Sequence, residues 1–318
     1  MKRKSFVAIG AVALGLCLFS ACTDIPKVTF NPYWYQDVDI VPENTLEELE
    51  YAVGFEAGTG LYNYSMHYSD GVYKTKLVTK AVDGKKVYEY TTELSINVTY
   101  QYESTVSDKL ADYVKTSVVF ERETNNLYPI SSHKELLSHS PINGDVNADF
   151  NFADWKYHYT VDVDYSKNEA VVVSSPNTEN ARTQTHSFEI DDEYTYLDNE
   201  QLLFALRGVN PSTTTAPKFS VYAPFTKAVQ NVSATFASKA AESFSFTKNG
   251  EEFSGNVSYF PVSLVLNQKD EGATQTLWIA AADNVKDNKF RNVILRYEAP
   301  VSYNLGTLIY TLKSANFS

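Results

Sequence analysis

The chain has 318 residues, a formal net charge of −12 and 43% hydrophobic residues, enough for a sizeable core without disulfide staples. Both of its cysteines lie within the first 22 residues, which excludes thiol catalysis and cysteine-rich zinc or iron sites in the rest of the chain. The acidic balance excludes nucleic acid as a partner, because that binding depends on Lys and Arg neutralising phosphates.

The first 21 residues have the pattern of an export leader. Met1-Lys-Arg-Lys4 is cationic, and Phe6–Phe19 is an apolar run of signal-core length. This run is too short to cross about 30 Å of hydrocarbon comfortably. The following stretch, Leu18-Phe-Ser-Ala-Cys22, resembles the lipobox of bacterial lipoproteins. The resemblance implies that Cys22 is the lipid attachment site and the mature first residue, carrying acyl chains such as palmitate.

An acyl anchor places the protein outside the cytoplasm, attached to a bacterial membrane by its N-terminus. Two or three acyl chains hold a protein stably on a bilayer where one chain does not. Loss of three cationic residues with the leader changes the formal charge from −12 to −15. We therefore expect the membrane contact to come from the lipid and not from the folded surface. The alternative is an ordinary cleaved signal peptide with an incidental cysteine.

The mature chain divides into a tether, 22–45, and a single domain, 46–318. Prolines limit regular structure in the tether, but Phe30-Asn-Pro-Tyr-Trp-Tyr35 is too aromatic to be fully solvated and is expected to dock on the domain. The domain is rich in Tyr, Phe, Val and Thr, which suit a pleated, half-buried surface.

Alternating apolar and polar residues predict strands along most of the domain. Asp83-Gly84 and Asn249-Gly250 are tight-turn signals between two pairs of such segments. The repeated turns indicate one large antiparallel system. The predicted strands are Val72–Val78, Val87–Tyr100, Trp155–Tyr165, Ala170–Ser174, Phe244–Thr247, Glu252–Ser254, Thr276–Ala280, Val293–Glu298 and Leu305–Leu312.

One segment, Tyr196–Gly208, has helical spacing instead. Asp198 is suited to the N-cap, Leu202 to Leu206 supply an apolar stripe, and Arg207-Gly208 fits a C-terminus. A single helix in a β domain usually covers an open sheet or barrel. The predicted fold is therefore mainly β, a large curved antiparallel sheet or open barrel with one short helix packed against it.

Several short landmarks, taken in order, resemble a bacterial family of lipoproteins and periplasmic proteins classed as a domain of unknown function. The resemblance spans about residues 46 to 315 and implies a curved antiparallel β structure, loosely like the half-barrels of lipoprotein carriers. Arg291 is followed by Asn292 where the family often has proline. The landmarks are Leu49–Gly60, Leu127-Tyr-Pro129, Phe204–Gly208, Leu277–Asp283 and Leu305–Ser314.

The polar residues do not form a recognisable catalytic or metal motif. His133 and His139 are six positions apart, which is not the spacing of a helical zinc pair. Asp162 and Asp164 alternate with valines and are expected on one solvated strand face. The sequence also lacks a P-loop, a dinucleotide-binding glycine pattern and a Gly-x-Ser-x-Gly elbow. We therefore expect a non-enzymatic protein without metal or cofactor.

Arg207, Asp283 and Trp278 are the candidate ligand-binding residues, because the resemblance places its landmarks there. For Arg207 and Asp283 the alternative is structural: a favourable charge in the last helical turn and a turn residue after a strand. The aromatic excess is open to the same two interpretations, core filling or a binding platform.

The sequence leaves three functional hypotheses. The first is a lipid-anchored protein that binds a hydrophobic or amphiphilic envelope molecule in the concave face, which requires an apolar cavity between sheet and helix. The second is a surface glycan or cell-wall binding module, which predicts exposed Trp34, Trp155 or Trp278. The third is a hydrolase, which requires convergent carboxylates or a His–carboxylate pair in a cleft.

Overall fold

The fold is taken from a computed structural model that describes most of the domain. The described residues are 27–28, 30, 44–59, 64–102, 104–122, 126–139, 156–176, 181–190, 193–224, 227–266, 274–281, 289–301 and 305–318.

Seventeen strands and one short helix make up the regular structure of these residues. A 3-10 turn, Asn199–Gln201, leads into helix α1, Leu202–Leu206. The strands are β1 Thr45–Ala57, β2 Tyr64–Val82, β3 Lys85–Tyr102, β4 Thr105–Val106, β5 Leu110–Glu121, β6 Pro129–His139, β7 Lys156–Asp164, β8 Glu169–Pro176, β9 Arg182–Ser187, β10 Thr195–Leu197, β11 Lys218–Ala223, β12 Ala228–Phe236, β13 Ala240–Lys248, β14 Glu251–Leu266, β15 Gln275–Ala280, β16 Ile294–Val301 and β17 Gly306–Phe317.

The strands form one continuous sheet. Within it, β13 to β17 close a small barrel, because β13 pairs with both β14 and β17. From β17 the sheet continues through β1, β2, β3, β5, β6, β7 and β8 to β9. From β14 it continues through β12 and β11 to β10. These pairings are antiparallel, except that β10–β11 and β13–β17 are parallel.

Two hairpins have the turns that the sequence predicts. Asp83 and Gly84 have φ of 50° and 76°, and Asn249 and Gly250 have φ of 49° and 82°. Positive φ at both central residues is typical of the type I′ turn, whose twist matches that of the flanking strands. The turns therefore fix the registers of β2–β3 and β13–β14.

The helix lies inside the curved sheet. The ring of Phe204 is 5.2 Å from that of Tyr90 on β3 and 5.4 Å from that of Phe120 on β5, measured between centroids. Tyr196 of β10 and Tyr159 of β7 belong to one buried cluster, so the far strands of the sheet also meet across the interior. The prediction of a mainly β fold with one short helix packed against a curved sheet is confirmed.

Part of the tether belongs to the core. Val28 and Phe30 are buried, and the Phe30 ring stacks on that of Phe219 at 6.2 Å with an interplanar angle of 7°. The backbone N–H of Val28 donates to Oγ1 of Thr195 at 2.7 Å. The domain core therefore includes residues that precede position 46. Among the described residues, no helix is long and apolar enough to span a bilayer.

Candidate functional site

The N-terminal end of the helix is held by buried polar contacts. The Asp198 carboxylate accepts from the Glu200 backbone N–H at 2.7 Å, and the Gln201 side chain accepts from the Asp198 N–H at 3.1 Å, forming a capping box. The Tyr165 hydroxyl donates to the same Asp198 carboxylate. Burial raises the pKa of Asp198. This end matches the predicted N-cap.

An ion pair extends the same contact to the sheet. Nζ of Lys134 on β6 lies 2.6 Å from Oε1 of Glu200, and both side chains are about one-fifth exposed. Burial alone raises the pKa of Glu200, but the Lys134 ammonium outweighs burial and the pKa of Glu200 lies below its usual range. The pair therefore ties the helix to the inner face of β6.

The C-terminal end of the helix is held by Arg207, one of the sequence candidates. Its two terminal nitrogens each donate at 2.7 Å to Glu47 of β1, and both side chains are 1% exposed. Its Nε donates to the Asn292 carbonyl at 3.1 Å. Burial alone lowers the pKa of Arg207, but the Glu47 carboxylate outweighs it and raises the pKa. A guanidinium satisfied this way inside the core favours the structural alternative for Arg207.

Glu47 was not singled out in the sequence, although a signal was present. It shares the inward parity of Leu49, Tyr51 and Val53, so an alternation argument places it in the core row of β1. A buried, charged carboxylate is costly unless a cation or hydrogen-bond donors compensate it, so a partner is expected. The sequence does not show that this partner is Arg207, because 160 positions separate the two.

The turn before β16 completes this end. Arg291 and Asn292 have φ of 47° and 51°. The Asn292 side-chain amide donates to the Arg207 carbonyl at 2.8 Å, and Arg291 donates to the Leu46 carbonyl at 2.9 Å. Proline cannot adopt a positive φ. A proline at position 292 is therefore incompatible with this turn.

Among the described residues, a cavity between helix and sheet is nearly filled. The cavity beside Arg207 and Leu203 has a volume of only about 10 Å³, the size of one water molecule. Burial raises the pKa of Tyr90 to about 12, as expected for a phenol in a dry interior. The tyrosines that line this cavity are Tyr51, Tyr73, Tyr90, Tyr297 and Tyr310. Here the aromatic residues fill the core.

Trp278 does not form an open platform. It is half-buried on β15 and packs against the core of the small barrel. The Arg296 guanidinium lies over its ring, 5.1 Å from the ring centroid. Arg296 is in turn 2.5 Å from Glu298. The other candidates, Cys22 and Asp283, lie outside the described residues, as do Trp34 and Trp155.

The outer face of the sheet carries charges of alternating sign across five adjacent strands. Five side chains that are successive register partners from β1 to β6 form what we call the charge row: Glu50, Lys74, Glu93, Lys115 and Glu135. Nζ of Lys74 is 3.4 Å from Glu50, and Nζ of Lys115 is 3.7 Å from Glu93. Opposite charges in neighbouring strands attract each other, which stabilises the registers modestly.

A groove of about 510 Å³ lies over the first strands of the charge row. It is open to solvent and runs across the outer faces of β17, β1, β2, β3 and β5. We call it the outer polar groove. Side chains that line it are Glu48, Glu50, Lys74, Lys76, Thr91, Glu93, Lys115, Ser314 and Asn316.

A second open groove of about 400 Å³ contains a histidine–carboxylate pair. Nδ1 of His133 is 2.7 Å from Oδ1 of Asp162, and Ser117 is the register partner of His133 on its other side. Serine, histidine and aspartate thus follow one another across three strands. The Ser117 hydroxyl, however, donates to Glu89 at 3.0 Å. The strand amides are used in the ladder, so this face does not supply the backbone donors of an oxyanion hole.

Two further histidines are paired with carboxylates. Nδ1 of His139 lies 2.7 Å from the buried Asp112, whose pKa is raised by burial, and Nε2 of His158 lies 3.2 Å from Glu135. In the described part of the chain, no three His, Cys, Asp or Glu side chains are placed to hold a metal ion.

Comparison with known proteins gives one structural similarity. No family model and no curated protein matches the chain. A solved structure, the β-barrel-like protein of domain of unknown function DUF1849 from Brucella abortus, aligns with a TM-score of 0.47 at 8% sequence identity. The alignment covers 87% of this chain and 100% of the other. The resemblance of the sequence to a lipoprotein family remains a prediction.

Proposed function

We propose that the protein is a lipid-anchored extracytoplasmic protein that acts by binding and not by catalysis. Support for the anchor is the leader of 21 residues that immediately precedes Cys22. Support for a binding role is the arrangement of the buried charges. Those at the two helix ends, Lys134–Glu200 and Arg207–Glu47, are each neutralised by a partner, as expected of groups that hold a fold together.

The outer polar groove is the proposed binding surface. The observation that carries this choice is the contrast in volume between the 10 Å³ beside Arg207 and the 510 Å³ above the charge row. Ligand sites for small molecules usually have several hundred Å³. A hydrophobic or amphiphilic molecule in the concave face, the first hypothesis, gains no support from the filled cavity.

The ligand of this groove is proposed to be a hydrophilic envelope polymer, a glycan or cell-wall fragment. Carboxylates, ammonium groups and hydroxyls alternate along the groove, so it offers donors and acceptors at short intervals. A glycan chain with peptide branches has the matching groups. The second hypothesis is thus favoured, but through a polar groove and not through a tryptophan platform.

Binding to insoluble peptidoglycan sacculi tests the proposal. Full-length protein in detergent is sedimented with sacculi, and the bound fraction is measured against protein concentration. We expect Lys74→Ser with Lys115→Ser to weaken binding about tenfold. Lys85→Ser with Lys86→Ser is the matched control, since it removes the same charge outside the groove and is expected to bind like wild type.

Two outcomes would overturn the proposed surface: equal binding by both double variants, or the absence of binding by the wild type. A co-purifying lipid detected by native mass spectrometry would instead favour the hydrophobic ligand. Catalysis is tested by incubating sacculi with the protein. Release of soluble fragments that is lost in His133→Ala would instead favour the hydrolase hypothesis.

A further inference from the structure

The segment after Cys22 is fastened to the domain close to its start. Besides donating its N–H, Val28 accepts a hydrogen bond from the Thr195 hydroxyl through its own carbonyl, at 3.4 Å. Val28 is 4% exposed and Phe30 is 1% exposed. Their attachment means that the free length of the tether ends at Val28, and not at the start of β1.

The attachment point lies at one end of the sheet, which we call the leader end. Thr195 opens β10, and the next residue, Tyr196, places its ring 6.2 Å from Tyr128 and 5.8 Å from Tyr165. Those two tyrosines precede β6 and follow β7, at the same edge. The first residues of β1 and the β2–β3 hairpin belong to this edge too, because the Thr79 N–H donates to the Asn44 carbonyl at 2.9 Å.

The opposite edge of the sheet, which we call the far end, is separated from the leader end by the length of β3. It contains Ala57, Val106 and Leu305, as shown by the Gly58 N–H donating to the Leu305 carbonyl at 3.1 Å and by the pairing of Val106 with Gln101. From Lys86 to Gln101 along β3 the chain advances roughly 50 Å. A membrane contact at one end therefore keeps the other end in solution.

We propose that the leader end of the domain lies on the membrane that receives the lipid, with the far end pointing away. This orientation rests on the proposed acylation of Cys22. Val28 is only six positions after Cys22, so even a fully extended chain between them spans roughly 20 Å. Without the attachment, the free chain would reach Asn44, 22 residues from Cys22, and span roughly 75 Å.

The β2–β3 hairpin tip gives chemical support to this orientation. Its last ladder pairs, Ala81–Lys86 and Val82–Lys85, project beyond the pairings of β2 with β1 and of β3 with β5. Lys85 and Lys86 are exposed, as is Val82 at 37%. The two lysines outweigh the Asp83 carboxylate of the turn, so in a mature chain with a formal charge of −15 this tip is cationic and suits anionic phospholipid headgroups at the surface.

Depth-dependent fluorescence quenching tests the orientation. Acylated full-length protein carrying Lys86→Cys or Val106→Cys is labelled with bimane and reconstituted into phosphatidylethanolamine–phosphatidylglycerol vesicles that contain a headgroup-nitroxide lipid. Acylated Cys22 does not react with the label. We expect the label at position 86 to be quenched at least threefold more than the label at position 106. Equal quenching, or stronger quenching at 106, would overturn the orientation.

Two variants test whether the short docked tether is the cause. A 30-residue Gly/Ser spacer inserted after Thr23 leaves the domain intact and should abolish the difference between the labels. Phe30→Ala, which removes the stacked ring, should reduce it. A difference that persists with the spacer would overturn the tether as its cause. Mass spectrometry of the N-terminal peptide shows whether Cys22 is acylated. An unmodified Cys22 would contradict the proposed lipid anchor, whereas equal quenching in acylated protein would contradict the orientation alone.

Discussion

Arg207 at the end of the helix and Glu47 on β1 form two parallel hydrogen bonds of 2.7 Å, although 160 positions separate them in the chain. Both side chains are 1% exposed, so the pair is fully removed from water. Such a pair gains little over well-packed apolar side chains, because the desolvation of two charges offsets their attraction. Loss of one partner, however, leaves an uncompensated charge in the core.

Arg207→Ala is therefore expected to destabilise the domain by about 3–5 kcal/mol, which corresponds to a decrease in Tm of roughly 10 °C. Thermal unfolding followed by circular dichroism measures this effect. Sacculus binding by the fraction that stays folded should be unchanged. Loss of binding at unchanged Tm would show that Arg207 binds ligand.

Replacing both partners at once is the matched control for that variant. Glu47→Leu combined with Arg207→Met keeps the volume and removes both charges, so we expect a smaller loss of stability than in either single variant. If the double variant loses as much as the sum of the single ones, the pair is not coupled as the structure indicates.

Asn292 gives a prediction about backbone conformation. Its φ of 51° is incompatible with proline, so Asn292→Pro is expected to destabilise the domain by about 3 kcal/mol or more. Asn292→Gly keeps the conformation and loses the hydrogen bond that the side-chain amide donates to the Arg207 carbonyl, for a cost of about 1 kcal/mol. Urea unfolding midpoints distinguish the two, and equal midpoints would contradict the prediction.

The elements that the sequence predicts well are those with local signals. Asp83-Gly84 and Asn249-Gly250 specify their turns through two residues each, and the helix is predicted by Asp198 at its N-cap and by the apolar stripe from Leu202 to Leu206. Each of these features depends only on residues within one turn of chain. Their prediction therefore requires no knowledge of the rest of the fold.

Strand β6, by contrast, is not predicted by alternation of apolar and polar residues. Its interior residues are half-buried on both faces, apart from the exposed His133, so apolar and polar residues do not alternate. On β1, a bulge between Thr45 and Glu47 buries Leu46 and Glu47 in succession, which interrupts the period of two. The parallel pairing of β13 with β17, which closes the small barrel, depends on residues far apart in the chain.

The candidate site was predicted only in part for the same reason. Asp162 was expected on a solvated strand face and is exposed there. Its pairing with His133, like the charge row from Glu50 to Glu135, follows from strand registers. A one-residue shift in any register would move these side chains to the other face. Sequence alone does not supply those registers.

Trp278 leads to a prediction that separates packing from ligand binding. In a Trp34→Phe, Trp155→Phe background, the fluorescence of Trp278 should be quenched by acrylamide less than a free indole and more than a fully buried one, because the ring is half-buried. Trp278→Phe should leave sacculus binding unchanged. If Trp278→Phe loses sacculus binding while its Tm stays that of the wild type, Trp278 contacts the ligand, which would favour an aromatic platform.

The Lys134–Glu200 pair predicts a pH-dependent contribution to stability. Lys134 lowers the pKa of Glu200 below its usual value of 4.5, so the folded state retains the charged carboxylate more strongly than the unfolded chain does. This stabilisation is fully present above pH 4.5 and is lost as the pH falls through the folded-state pKa.

Lys134→Met removes the partner, and burial then raises the pKa of Glu200. We expect the variant to lose about 1–3 kcal/mol at pH 7. The difference from wild type in urea unfolding should shrink at pH 3.5, where Glu200 of the variant is protonated. Lys74→Met, at the exposed pair with Glu50, is the control and should change stability by less than about 1 kcal/mol at either pH. If the loss in Lys134→Met were the same at both pH values, packing by the lysine stem, and not its charge, would be the source of the stabilisation.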